Sequence, residues 1–368
     1  MIPSRTTHTS KRDNNFPLVR LLAAVFVFAG HMGPILGAES PTLGGIPIHK
    51  LGVGVLFLIS GYLVTKSWLS DPDLLRFGIR RFFRLWPPFA VMILLMALVA
   101  GPLLSNLGVE GYFQHGGYWN YLKNLRFMII YDLPGVFTDL PLANCVNGSL
   151  WTMPVEAVLY LVTPVLLTVF RVKDKGEHTF PVMALVTGFA VGADIYLRVF
   201  HPDGWVVVYG TELISSYHLV VFYVIGIFFT YEKSRKLLNL QAGCAAMCGM
   251  LLAQFSAEPV QYLITYLVFS YFVMSLVFAP QPLFRSLDRK LEISYGIYLY
   301  GYFFQQITVS LQDLHDWQFT YLQALVISAV PTVVAAFFSC LLVERPCLWL
   351  SRYLTGRLGS PGKQPHQK

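Results

Sequence analysis

Phe16-Pro17-Leu18-Val19-Arg20-Leu21-Leu22-Ala23-Ala24-Val25-Phe26-Val27-Phe28-Ala29-Gly30-His31-Met32 decides the class of this chain. It is a run long enough to cross a bilayer, yet it carries an arginine and a histidine. A central Arg costs about 2.5–3.5 kcal/mol on insertion scales, and such costs usually persist where the group has a task. The eleven-residue spacing from Arg20 to His31 is close to three helical turns, so both side chains share one face about 16 Å apart. That is about half of a hydrocarbon core. One group then sits near one membrane surface and the other deep in the span.

Composition extends this reading to the whole chain. Its 368 residues are 55% hydrophobic and 13% charged, against about 25% charged in soluble domains. Mean hydropathy is +0.55. Ten windows are long enough to span: 16–36, 51–69, 87–107, 149–170, 180–198, 206–230, 237–255, 259–279, 292–311 and 320–343. The predicted fold is all-α, a polytopic membrane protein of about ten transmembrane helices. Residues 1–15 read as a tail, 16–350 as one integral-membrane domain and 351–368 as a second tail, disordered after Thr355.

Loop charges give the orientation. Arg5, Lys11 and Arg12 precede the first span. Arg76, Arg80, Arg81 and Arg84 lie between the second and third. Later alternate loops hold Arg171, Lys173 and Lys175, then Lys233, Arg235 and Lys236, then Arg285, Arg289 and Lys290. The opposite loops hold little beyond Lys50, Lys123 and Arg126. The positive-inside rule then predicts both termini in the cytoplasm. The net charge of +7 follows from these loops and needs no nucleic-acid partner. The long first run with its buried His does not read as a cleavable signal peptide. The five cysteines form no disulfide framework. No zinc, EF-hand, P-loop or dinucleotide spacing is present, so no metal is predicted.

Four stretches could carry chemistry. His31 is a candidate general base or acyl acceptor, since imidazole titrates near neutrality; the bland alternative is a His bonded to a neighbouring helix. Arg20 either anchors by snorkelling or meets an anionic donor. Arg80, Arg81 and Arg84 share one helical side ahead of Pro87-Pro88, as a fork for phosphate or as lipid anchors. Asn147-Gly148-Ser149-Leu150-Trp151-Thr152-Met153-Pro154-Val155-Glu156 opens the fourth span. Asn147 or Ser149 can cap it, and Pro154 is tolerated in its first turn. Glu156 then lies about two turns deep with Tyr160 below it, and must pair, protonate or face a cavity. The sequon at Asn147 abuts the membrane and reads as coincidence. The glycines of Gly52-Val53-Gly54-Val55-Leu56-Phe57-Leu58-Ile59-Ser60-Gly61 suit close helix packing. Ser294-Tyr295-Gly296-Ile297-Tyr298 with Gln305 and Gln306 either lines a cavity or bonds helices together. Buried Arg, His and Glu also suit a membrane transporter of an anionic solute, the alternative function, although no internal repeat is visible.

Six segments in order resemble the acyltransferase-3 family of integral-membrane O-acyltransferases. Arg20 and His31 match its Arg-x10-His. Leu56-Phe57-Leu58-Ile59-Ser60-Gly61-Tyr62 resembles its Phe-Phe-x-x-Ser-Gly stretch. Arg81-Phe82-Phe83-Arg84 with Pro87 resembles its Arg-x-x-Arg and proline. Ser149-Leu150-Trp151 through Glu156, Ser294-Tyr295 through Leu299, and Glu344-Arg345-Pro346 resemble its three later motifs. Two positions depart: Gly54 stands near an acidic residue of many relatives, and Gly301 where many have a His. Some relatives carry a fused hydrolase-like domain, for which this chain has no room.

The resemblance implies an inner-membrane O-acetyltransferase that takes acetyl from cytoplasmic acetyl-CoA. The acceptor would be a hydroxyl of a cell-surface or lipid-linked glycan such as exopolysaccharide or O-antigen. Arg20, Arg81 and Arg84 would hold the donor. His31 would activate the hydroxyl or carry the acyl group. Glu156 would orient His31 or bind acceptor hydroxyls.

Overall fold

The computed structural model describes residues 15–170, 179–201, 206–279 and 292–358. Each of the ten windows meets a helix. These are α1 (Phe16–Ile35), α2 (Ile48–Ser70), α3 (Leu74–Leu104), α4 (Gly148–Val169), α5 (Phe180–Phe200), α6 (Leu213–Phe228), α7 (Leu240–Phe255), α8 (Glu258–Val277), α9 (Ser294–Leu314) and α10 (Tyr321–Arg357). Seven are long and apolar enough to cross a membrane. α6 and α7 are apolar but shorter. α9 is long but rich in Tyr and Gln, and it buries most of its length inside the protein. Strand structure among the described residues is confined to two small hairpins, Thr42–Leu43 with Ile46–Pro47 and Val207–Val208 with Thr211–Glu212. The basic positions 5–12, 171–175 and 285–290 lie outside the described residues.

Close backbone contact holds the centre together. α1 packs on α2 and α9, α2 on α6, and α9 on α10. A Cβ added to Gly61 would lie 2.0 Å from the Tyr223 carbonyl oxygen, and one on Gly226 would lie 2.1 Å from that of Leu58. The two glycines therefore interlock α2 and α6, the packing role predicted for the glycine-bearing span. At the other end of α2 the hairpin turns on Gly44 and Gly45, both at positive φ (62° and 83°). Only such residues close a two-residue turn of this hand without strain. That turn brings the His49 backbone against Gly30 of α1.

Two expectations are corrected. The third helix starts at Leu74, well before the predicted 87, and runs through Pro87-Pro88. Asp73 caps it by accepting from the Arg76 amide at 2.8 Å, an N-cap signal ahead of the apolar run. The prolines lack N–H groups but fit helical φ, so they cost hydrogen bonds without ending the helix. The second correction concerns the C-terminal tail, expected to begin at 351 and to be disordered after Thr355. Residues 351–357 continue α10, with Trp349 stacked on Tyr353 at 5.6 Å and Ser351 buried. The remainder, 359–368, lies outside the described residues.

Candidate active site

Two cavities open at opposite ends of the helix bundle. The one near the start of α1 measures about 400 Å³ and is lined by Arg20, Arg81, Arg84, Glu156, Tyr160 and Tyr295, among others. The one near its end measures about 680 Å³ and is lined by His31, His49, Arg198, His218, Tyr262 and Trp151, among others. Val53 and Tyr298 line both. The sequence pairs Arg20 with His31 on one helix face, and the bundle gives each its own chamber.

The arginine chamber is built from six helices, α1, α2, α3, α4, α9 and α10. Arg20 of α1 is ion-paired with Glu292, just ahead of α9. Arg84 of α3 lies 3.9 Å from Glu292 and 3.9 Å from Glu344 of α10. Glu344 falls in a π-helical turn, Cys340–Glu344, and is buried. Arg81 meets no carboxylate among the described residues. Its Nη2 donates to Ser67 Oγ at 3.3 Å, and its guanidinium lies over the Tyr160 ring at 5.5 Å. Glu156 accepts a hydrogen bond from Tyr160 one turn along. Arg81 Nε and Arg84 Nη2 are buried with no hydrogen-bond partner among the described residues, Nη2 of Arg84 lying 3.9 Å from Glu292. Buried guanidinium donors left open in this way suit a multiply charged oxyanion.

The other two arginines of the cluster have different work. Arg76 Nη2 and Arg80 Nη1 lie 2.5 and 2.7 Å from the Asp71 carboxylate in the loop before α3. Arg76 first, then Arg80, holds that carboxyl well below the usual carboxylate range. These contacts anchor the loop and leave Arg81 and Arg84 to face the chamber.

The histidine chamber contains a residue that the sequence reading passed over. His49 stacks on His31 at 5.0 Å between ring centroids, and Tyr302 meets His31 edge-on at 5.3 Å. Ser40 Oγ donates to the Gly30 carbonyl at 2.8 Å and lies 3.0 Å from His49 Nδ1. Its proton spent, Ser40 accepts from His49 Nδ1–H, which leaves Nε2 as a lone pair. Glu156 does not join this group: it sits in the arginine chamber with Tyr160. The expectation that Glu156 orients His31 therefore has no contact to rest on.

A sequence model of an acyltransferase domain matches residues 13–345. The chain belongs to this acyltransferase family. Nodulation protein 10 of Rhizobium leguminosarum bv. viciae is 26% identical, covering 95% of this acyltransferase and 97% of that protein. The O-acetyl transferase of Shigella phage Sf6 is 24% identical over 91% and 96%. The peptidoglycan O-acetyltransferase OatA of Listeria monocytogenes is 25% identical over 81% of this chain, which spans 50% of that longer protein. No solved structure matches the chain.

Several motif residues of the acyltransferase serve the frame around the chambers. Asn147 is fully buried and its Nδ2 donates to the Leu299 carbonyl at 2.7 Å, which rules out a glycosylated side chain in this fold. Ser149 Oγ donates to Asn147 Oδ1 at 2.6 Å, and Tyr298 Oη donates to the Ser149 carbonyl at 2.9 Å. These bonds fix the start of α4 on the first two turns of α9. The polar strip of α9 divides between the two roles foreseen for it. Ser294, Tyr295 and Tyr298 line the arginine chamber. Gln305 and Gln306 bond the Phe28, Leu142 and Cys145 carbonyls. At the two departures from the family pattern, side-chain space is filled by aromatic rings: Phe222 lies against Gly54 and Phe28 against Gly301.

Proposed function

We propose that this membrane acyltransferase moves an acetyl group from acetyl-CoA to a hydroxyl of a cell-surface or lipid-linked glycan, across the inner membrane, with both termini in the cytoplasm. The observation that carries this reading is the pair of chambers at opposite ends of one bundle. One holds open guanidinium donors, the other a pair of histidines, and the two share Val53 and Tyr298. The acetyl-transferring names of the phage and Listeria relatives support the acyl group and a glycan acceptor.

In this reading Arg81 and Arg84 bind the donor's phosphates. Arg20, Glu292 and Glu344 fix Arg84, and Glu156 with Tyr160 borders the same site. The extended thioester arm reaches past Tyr298 toward His31, about 16 Å along α1 from Arg20. His31 takes the proton of the acceptor hydroxyl as its oxygen attacks the thioester carbonyl. The C–S bond breaks, the ester forms, and the proton returns to the departing thiolate. Transfer through an acyl-His31 intermediate uses the same groups in two steps. His49, held by Gly30 and Ser40, keeps the His31 ring in place by stacking.

The test uses the purified chain in lipid nanodiscs with acetyl-labelled CoA and base-treated, de-O-acetylated surface polysaccharide from the producing cells. The expected result is alkali-labile label on the polysaccharide, with one free thiol released per ester formed. Thiol release without ester, or no reaction at all, contradicts the proposal.

A further inference from the structure

A second chain of polar groups ends in the histidine chamber, and neither the family motifs nor the proposed mechanism uses it. Asp194 of α5 is fully buried, while His218 of α6 and Tyr266 of α8 are 4% and 1% exposed. Arg198 Nε donates to Asp194 Oδ2 at 2.7 Å. Tyr266 Oη donates to the same oxygen at 2.6 Å. His218 Nδ1 lies 2.6 Å from Tyr266 Oη. Tyr266 stands in a π-helical turn, Thr265–Phe269, and such turns re-aim single side chains and recur at functional sites.

The order of donors fixes the chemistry at the end of the chain. Asp194 is ion-paired with Arg198 and accepts from both Arg198 Nε and Tyr266 Oη. The hydroxyl of Tyr266 is spent on Asp194, so its oxygen accepts from His218 Nδ1–H. His218 is then the tautomer whose Nε2 carries a lone pair and no proton. That Nε2 is buried and has no partner among the described residues, while His218 lines the same chamber as His31. A buried acceptor with nothing to accept from carries an uncompensated desolvation cost. The ligand that relieves it is a neutral hydrogen-bond donor, because a lone pair repels an anion. The nearby Arg198 does not recruit an anion either: it is occupied by Asp194 and by Glu258 at 3.3 Å, and it lies over the Tyr262 ring at 3.3 Å. Trp151 and Tyr262 add aromatic surface to the same wall, which suits the C–H faces of a sugar.

We propose that His218 Nε2 accepts a hydrogen bond from a hydroxyl of the acceptor sugar and so holds that sugar in register with His31, with Tyr266 and Asp194 as positioning residues that set the His218 tautomer. This rests on the reading that the histidine chamber takes the glycan acceptor.

The test is steady-state kinetics of the full chain in nanodiscs, with acetyl-CoA as donor and de-O-acetylated surface polysaccharide as acceptor. Tyr266→Phe keeps the ring and removes the hydroxyl that sets the tautomer. It is expected to raise the polysaccharide KM about tenfold, the size of one lost hydrogen bond, with the acetyl-CoA KM unchanged. His218→Ala should match or exceed that rise, and His218→Gln, whose carboxamide oxygen can accept, should recover part of it. An unchanged polysaccharide KM in Tyr266→Phe, or equal rises in both KM values, overturns the proposal. If His218→Ala does not insert, Tyr266→Phe decides alone. A wild-type chain that moves no acetyl group overturns the underlying reading and this one with it. A working wild type with unaffected Tyr266→Phe and His218→Ala variants overturns this one only.

Discussion

His31→Ala is expected to abolish acetyl transfer, by about 10²–10⁴-fold or more, while the protein reaches the membrane at normal abundance. Among the described residues His31 makes ring contacts with His49 and Tyr302, so truncating it strands no buried charge and breaks no ion pair. His31→Gln should fail as well, since an amide does not take up the hydroxyl proton near neutral pH. The measurement is alkali-labile acetyl on surface polysaccharide from whole cells, normalised to the amount of protein in the membrane. Near-normal acetylation in His31→Ala would remove the base from the mechanism and leave the family assignment untouched.

Arg81→Ala is expected to raise the acetyl-CoA KM by about tenfold or more with little change in saturated turnover, as loss of a charge-assisted contact does. Arg81 is the cleanest arginine to remove because no carboxylate pairs with it among the described residues. Arg84→Ala should cost more, but for a mixed reason. It also strips partners from Glu292 and the buried Glu344, and a stranded buried carboxylate destabilises strongly. Arg81→Lys should restore part of the donor affinity, since it returns the charge without the forked geometry. A donor KM unchanged in Arg81→Ala would make this segment a membrane anchor.

The sequence exposed these residues because each is a charge where charge is expensive. Arg20, His31 and Glu156 stand inside apolar windows, and Arg81 and Arg84 repeat on one helical side, so period and cost alone single them out. The residues that were missed lack that contrast. His49 sits at a helix start beside Lys50, after a glycine hairpin, and there it reads as an ordinary loop residue. Its place against His31 comes from the turn at Gly44-Gly45 and from Gly30, which involve tertiary approach. Glu292 likewise precedes α9 and looks like a solvated loop acid. Asp194 and Arg198 did leave a signal, an i,i+4 acid–base pair within an apolar window, and that pattern could have flagged α5. Tyr266 stands in a π-helical turn, which no simple 3.6-residue period reveals; Glu344 was named in the Glu344-Arg345-Pro346 motif, but its pairing with Arg84 was not legible.

The helices were more legible than their ends. Length and hydropathy fix a window, and each window met a helix. The start of α3 depended instead on Asp73 as a cap and on a helix that tolerates two prolines. The division into two chambers was not legible at all. Placing Glu156 with Tyr160 and Arg81 instead of with His31 depends on how α2, α3 and α4 pack. Helix period fixes which face a residue occupies but leaves open which neighbour that face meets.

The central claim is that donor and acceptor meet this enzyme from opposite sides of the membrane. The direct test is reconstitution into sealed liposomes, with acetyl-labelled CoA added outside only. De-O-acetylated polysaccharide is trapped in the lumen in one set and supplied outside in the other. Molecules whose arginine chamber faces outward receive the donor, and their histidine chamber opens to the lumen. The account predicts label on lumenal polysaccharide, none above background on external polysaccharide, and loss of the lumenal signal in His31→Ala. Labelling of external polysaccharide by external donor, equal to or greater than labelling in the lumen, would contradict it.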